Sequence, residues 1–393
     1  MKVRWHIPLI LALTTFVHYL DRNALALALP HLAAEHSWSE AEIGLYGEYL
    51  LGAFYLSFGL FQIFLSGRVE RWNVKGGLVL SIVGFSVVTM LFYPFGGSIP
   101  ALIGLRLLLG AAESLHMPMN SAIIARTFPP SLRGRANSLY VGGILLALML
   151  GPLILVPLIE AAGWRLSFAV LGAAGLLISL PFVLKGIPSF PAEKNSVSEP
   201  VRLSRTFWLY TIAGAANAFC IFGMLNWLPS YLTKARGIPF EGISLPLLGI
   251  FLAGIIGVIF WAWLGDKTQE RLYWVQGGLL AAGGAVLLVA FASSNLVVIL
   301  LLMAGVFLQS SYNAQEFATL QSFYPSSRVG GVTGLYNGLT VLVGGVGGSF
   351  IPGSIVAATG SLETGILSVA GGAFVVSGCI FLLRRALSKP QKV

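Results

Sequence analysis

The chain has 393 residues, 56% hydrophobic and only 10% charged, with a net charge of +9 and a mean hydropathy of +0.84. Soluble domains carry about a quarter charged residues, so a soluble globular protein is excluded. The basic excess does not indicate nucleic-acid binding, because no segment is long and polar enough to form a water-exposed basic domain.

Lys2 and Arg4 precede an apolar run that resembles a secretory signal, and Ala24, Ala26 and Ala28 offer small residues for cleavage. The run is long and holds Asp21 and Arg22, which predicts an uncleaved first span. Twelve apolar segments approach or exceed the ~20 residues a helix needs to cross the hydrocarbon. They are 7–30, 42–66, 75–96, 99–127, 135–160, 165–185, 206–233, 240–264, 272–293, 295–323, 329–358 and 362–384. The one long polar connection, 186–205, is rich in Pro and Ser and separates six spans from six. The prediction is an all-α membrane protein of twelve transmembrane helices in two six-helix bundles, 1–185 and 206–393, joined by a cytoplasmic linker over 186–205.

Orientation follows from Lys and Arg in the loops. With both termini inside, 19 of the 24 Lys and Arg are cytoplasmic; Arg165, Lys234 and Arg236 lie outside, and Arg22 and Arg106 lie within the membrane. The loop after span 2, GRVERWNVKGG, is echoed after span 8 by GDKTQERLYW, as expected of an internally repeated transporter whose site lies near the midplane. Cys220 and Cys379 fall in apolar segments and predict free thiols, not a disulfide framework.

Span 4 carries Arg106 and Glu113 inside its apolar run, where a charge costs from ~3 to more than ~10 kcal/mol. Positions seven apart share one helix face about 10 Å apart along the axis, and Gly110 is expected to leave room between them. An internal ion pair that only fixes helix packing is the competing reading. Asp21 lies about 21 Å into span 1, leaving roughly 9 Å of a ~30 Å core, and Arg106 lies about 10 Å below the outer end of span 4. Arg22 and Arg106 should therefore stand at one level.

Several blocks resemble the major facilitator superfamily, beginning with the loop Gly67-Arg-Val-Glu70-Arg71. Within it they are similar to the anion:cation symporter family, which includes bacterial sugar-acid transporters, sialin and the vesicular glutamate transporters. The matching residues are Tyr19-Leu-Asp21-Arg22-Asn23 through Pro30; Glu113 to Pro118; Phe128-Pro129; Arg133-Gly134-Arg135-Ala136; Gly163-Trp164-Arg165; Trp227-Leu228-Pro229-Ser-Tyr231-Leu232; and Asn337 before the glycines ending at Pro352-Gly353. Three positions depart from the pattern. Glu70 stands for Asp, Thr127 for Trp, and Phe58 for a Tyr four residues before Gln62. The last removes a hydroxyl that could reach a polyol, which favours a smaller or more apolar carboxylate.

The resemblance implies that spans 1, 4, 7 and 10 line a central cavity. Arg22 and Arg106 are then expected to bind an organic anion, because guanidinium grips carboxylates bidentately and keeps its charge. Asp21 and Glu113 are expected to carry protons. Gln62, Asn313 and Asn337 are the neutral substrate contacts expected, and Gly67, Glu70, Arg71, Arg133, Arg135 and Asp266 at the cytoplasmic mouths are expected to gate. His18 and His116, each a turn from one of these charges, offer a proton relay because imidazole titrates in the physiological range, but read more readily as packed core histidines. The second half shows no matching charge pair; its deep polar residues are Asn217, Asn226, Gln309, Asn313, Gln315 and Asn337.

The functional expectation is a secondary active transporter of a small organic anion, coupled to protons, in a bacterial inner membrane. It is expected to act as a monomer in the lipid bilayer, without cofactor, metal or nucleic acid. A carboxylate exchanger is an alternative. So is a drug/proton antiporter, although Gly151-Pro152 lacks the pair of glycines such proteins place shortly after it. No metal cluster, Walker loop or nucleophile elbow occurs that would indicate an enzyme.

Overall fold

The computed structural model describes residues 4–66, 73–190, 203–323 and 329–387. Among them every regular element is helical, as expected where lipid leaves backbone N–H and C=O groups only intrachain partners. The chain divides into two compact units. The first comprises Met1–His31 and Tyr49–Ser198; the second comprises Leu32–Glu48 and Glu199–Val393.

The first unit is built from α1 (His6–Glu35) as far as His31, α2 (Glu40–Ser66) from Tyr49, α3 (Val74–Phe95), α4 (Ile99–Glu113), α5 (His116–Thr127), α6 (Pro130–Ala174) and α7 (Leu180–Gly186). Helix α3 packs on α4 and α6. The predicted fourth span, 99–127, is two helices, because Pro118 has no N–H for the carbonyl of Ser114 and the ladder opens there. Glu113 thus closes α4 and His116 opens α5. Predicted spans 5 and 6 instead run on as α6, kinked at Gly163, whose φ of 75° suits glycine. A π-helical turn, Gly175–Ser179, leads into α7.

The second unit contains α8 (Arg205–Ser230), α9 (Ser244–Thr268), α10 (Arg271–Leu288), α11 (Asn295–Ser322), α12 (Val329–Thr359) and α13 (Leu362–Leu387). Helix α8 packs against α12 and α13, and α11 packs against α9 and α10. Leu32–Glu48 belongs to this unit, although sequence order suggests the first bundle. The reason is local bonding. The Ser354 hydroxyl donates to Glu48 Oε2 at 2.6 Å and the Leu362 amide donates to Glu40 Oε2 at 2.7 Å.

Ten segments among the described residues are long and apolar enough to cross a bilayer, one of them the 52-residue Arg135–Gly186 that bends at Gly163. Helix α1, with Asp21 and Arg22 in its 30 residues, is not one of these ten.

Candidate functional site

The intramembrane charges of the first unit collect in its interior. Asp21, Arg22, Arg106 and Glu113 are all buried, none more than 4% exposed. Successive residues on a helix are ~100° apart, so Asp21 and Arg22 of α1 turn toward different neighbours. Asp21 Oδ2 accepts from the Thr89 hydroxyl of α3 at 2.5 Å. The Arg22 guanidinium lies within 5.2 Å of the ring centres of Tyr19, Phe54, Tyr55 and Phe58, closest to Phe58 at 4.6 Å. The residue that replaces a tyrosine here is therefore a cation–π partner of the arginine.

Arg106 reaches the same aromatic group from α4. Its Cζ is 4.6 Å from the centre of Phe54, which is 5.0 Å from Arg22. Both guanidinium groups thus lie against one phenylalanine. Arg106 Nε donates to the Leu50 carbonyl at 3.0 Å, while Nη1 is buried without a hydrogen-bond partner among the described residues. Gly110 does not serve as a space between Arg106 and Glu113. An added Cβ would lie 2.3 Å from both Phe54 O and Ser57 Oγ, so this glycine lets α4 lie directly on α2.

Glu113 lies beside a histidine. His18 Nε2 lies 3.1 Å from Glu113 Oε2, and the His18 ring stacks on His116 at 4.4 Å. His116 Nε2 is in turn 3.4 Å from Thr14 Oγ1, and Asn120 donates to Thr15 at 3.0 Å. These contacts knit α1 to both sides of the break between α4 and α5. The histidines, read from sequence as packing residues, form a polar chain with Glu113. The spacing Thr14, His18, Asp21/Arg22 on one face of α1 was the signal for it.

The pair is testable. His18→Phe should leave the Glu113 carboxyl without its neighbour and lower stability by about 1–3 kcal/mol, and adding Glu113→Leu should recover most of that loss, since removing both partners costs less than removing one. Melting in detergent checks this; additive losses would show that the two side chains do not interact.

Of the other candidates, Gln62 is buried with Oε1 unpartnered among the described residues. In the second unit Asn313 Oδ1 accepts from Asn217 at 2.9 Å, and Asn217 accepts from Gln309 at 2.5 Å, so Asn313 belongs to a closed amide cluster. Asn337 is half-buried, and its side-chain amide joins no hydrogen bond among the described residues. Asn226 donates to Ser349 and Gln315 donates to the Trp261 carbonyl, both as interhelical ties.

The mouth residues divide. Gly67, Glu70 and Arg71 lie outside the described residues. Arg133 donates from Nε to the Phe128 carbonyl at 3.0 Å and from Nη2 to the Ala125 carbonyl at 2.7 Å, capping the end of α5. Arg135 is exposed. Asp266 accepts from Arg271 at 2.8 Å on an exposed surface, a pair of small energetic weight. Cys220 is buried, Cys379 is half-buried, and both are free. Among the described residues no cluster of three or more His, Cys, Asp or Glu has a metal-binding arrangement.

Residues 11–349 match the Major Facilitator Superfamily. The chain is 26% identical to a probable sulfoacetate transporter of Cupriavidus necator over 69% of its own length and 67% of that protein. It is 25% identical to a probable galactarate/D-glucarate transporter of Bacillus subtilis, over 100% and 95% of the two chains. A crystal structure of a bacterial homologue of the human lysosomal transporter Spinster, in an inward-facing and occupied conformation, superposes with a TM-score of 0.83 at 17% identity, covering 100% of both chains.

Proposed function

The chain belongs to the Major Facilitator Superfamily, a family of multi-pass membrane transporters and not of enzymes, and from that premise we propose that it carries a small organic anion by proton symport. The relatives named above are a probable sulfoacetate transporter and a probable galactarate/D-glucarate transporter, and each of those named substrates carries a carboxylate. On this reading twelve spans in two six-helix bundles, 1–185 and 206–393, with both termini cytoplasmic, undergo alternating access in a bacterial inner membrane, and the protein acts as a monomer.

One observation carries the proposal: two buried arginines lie against Phe54, Arg106 with Nη1 unbonded among the described residues, while Asp21 accepts from Thr89 and Glu113 lies 3.1 Å from His18. A guanidinium resting on an aromatic face stays charged, and Arg106 keeps an N–H donor at Nη1 for a carboxylate. Coupling follows from charge balance. Two arginines and two carboxylates sum to zero in a low-dielectric interior, so an entering anion adds uncompensated charge unless an acid binds a proton. Glu113, beside His18, and Asp21, beside Thr89, are the acids that would take it. Gln62 would meet the substrate from α2. In the second unit Asn337 has the amide left over for a ligand, whereas Asn313 supports it from the amide cluster. Arg133, Arg135 and Asp266, with Gly67, Glu70 and Arg71, are proposed to act at the cytoplasmic mouths.

The test is uptake into proteoliposomes of sulfoacetate, galactarate and simple monocarboxylates. Accumulation should follow an inwardly directed proton gradient and collapse with a protonophore. Uptake of an anion insensitive to both would replace symport with exchange.

A further inference from the structure

The second unit holds a carboxyl group that the sequence reading passed over. Glu316 of α11 lies one residue beyond Gln315 but faces a different neighbour: Gln315 bonds to Trp261 of α9, while Glu316 Oε1 accepts from the Tyr336 hydroxyl of α12 at 2.9 Å. Tyr336 and Tyr312 hydroxyls are 2.8 Å apart, and Tyr312 also reaches the Tyr210 carbonyl of α8 at 3.4 Å. The Tyr210 hydroxyl closes the circuit by donating to the Glu316 carbonyl at 2.9 Å. All three tyrosines are buried, none more than 2% exposed. Room for the chain comes from Gly214 of α8, where an added Cβ would lie 2.1 Å from the Tyr336 hydroxyl oxygen.

The groups that face the acid are therefore tyrosines. Among the described residues no Lys, Arg or His pairs with Glu316, and Arg271 of the adjoining α10 is taken by Asp266 of α9. Among the described residues no ion pair fixes its charge.

Each hydroxyl has one proton, so the chain can be filled in two ways. With Glu316 ionised, Tyr336 donates to the carboxylate and Tyr312 donates to Tyr336. With Glu316 protonated, the carboxyl donates to Tyr336, Tyr336 to Tyr312, and Tyr312 to the Tyr210 carbonyl. Both arrangements give every hydroxyl proton an acceptor, which removes the usual cost of leaving a buried polar group unmade. They differ in the bond to the Tyr210 carbonyl, hence in the tie between α11 and α8.

We propose that Glu316, with the Tyr336–Tyr312–Tyr210 hydrogen-bond chain, is a proton-binding site of the second unit, separate from Asp21 and Glu113, whose occupancy sets the direction of that chain. It does not depend on the anion carried or on the coupling proposed for the first unit.

The experiment is an infrared pH titration of the protein in lipid nanodiscs in an Asp21→Asn/Glu113→Gln background, where the two proposed proton carriers of the first unit no longer titrate. A carboxyl absorption should rise on acidification, and adding Glu316→Gln should remove one carboxyl equivalent of it together with an accompanying tyrosine band. Tyr336→Phe keeps the acid and deletes its donor; it should retain the step but displace its midpoint by about one pH unit or more. The proposal is overturned if Glu316→Gln leaves the titration unchanged. It is equally overturned if Tyr336→Phe leaves both midpoint and tyrosine band in place, the result expected of a static packing bond.

Discussion

Arg106→Ala is expected to reduce anion uptake by at least about 100-fold, the equivalent of roughly 2.7 kcal/mol, within the range for losing a charge-assisted bidentate grip in a buried site. Arg106 binds Leu50 through Nε alone and keeps Nη1 without a hydrogen bond among the described residues, so its planar fork is still available to a ligand. Arg106→Lys separates charge from geometry. It preserves the positive group but loses the fork and the flat face against Phe54, and it should recover only a small part of the activity. Binding measured by thermal shift distinguishes this from misfolding: the alanine variant should melt as a single species yet gain no stability from saturating anion. Uptake within about threefold of the parent protein, a difference below the ~1.4 kcal/mol of a tenfold effect, would remove Arg106 from the site.

Glu113→Gln should uncouple transport without stopping it. The substitution keeps the shape and a polar atom beside His18 but cannot carry a proton on the carboxyl. One coupled proton supports about a tenfold accumulation per pH unit, since a pH unit corresponds to ~1.4 kcal/mol. The variant should therefore fall to an accumulation ratio near unity, while anion-for-anion counterflow persists. If the coupling proton sits on Asp21, Asp21→Asn will show this behaviour and Glu113→Gln will not. Full accumulation in both variants would end the symport reading for the first unit and leave Glu316 as the acid to test next.

Much of the candidate site was legible because it violates the chain's own composition. Asp21, Arg22, Arg106 and Glu113 stand out as charges within apolar runs, and counting residues along two helices predicted one level for both arginines, which both lie against Phe54. The histidines were left between core packing and a proton relay for want of a partner. His18 is an ordinary core residue on α1 alone and becomes part of a polar chain only when Glu113 and His116 arrive from the ends of α4 and α5. Glu316 was overlooked for a related reason: it follows Asn313 and Gln315 in a polar stretch near the end of α11, and nothing in that stretch indicates that Tyr210 and Tyr336 converge on it from two other helices.

The sequence alone determined that the chain lives in a bilayer, that it belongs among the major facilitators, and which charges fall inside its apolar runs. These follow from hydropathy and from ordered motifs. The tertiary structure decided which atoms stand opposite each charge. Helix period fixes a side chain's height and face, but only packing chooses the neighbour that face meets, and so gave Asp21 a threonine, Glu113 a histidine and Glu316 a tyrosine.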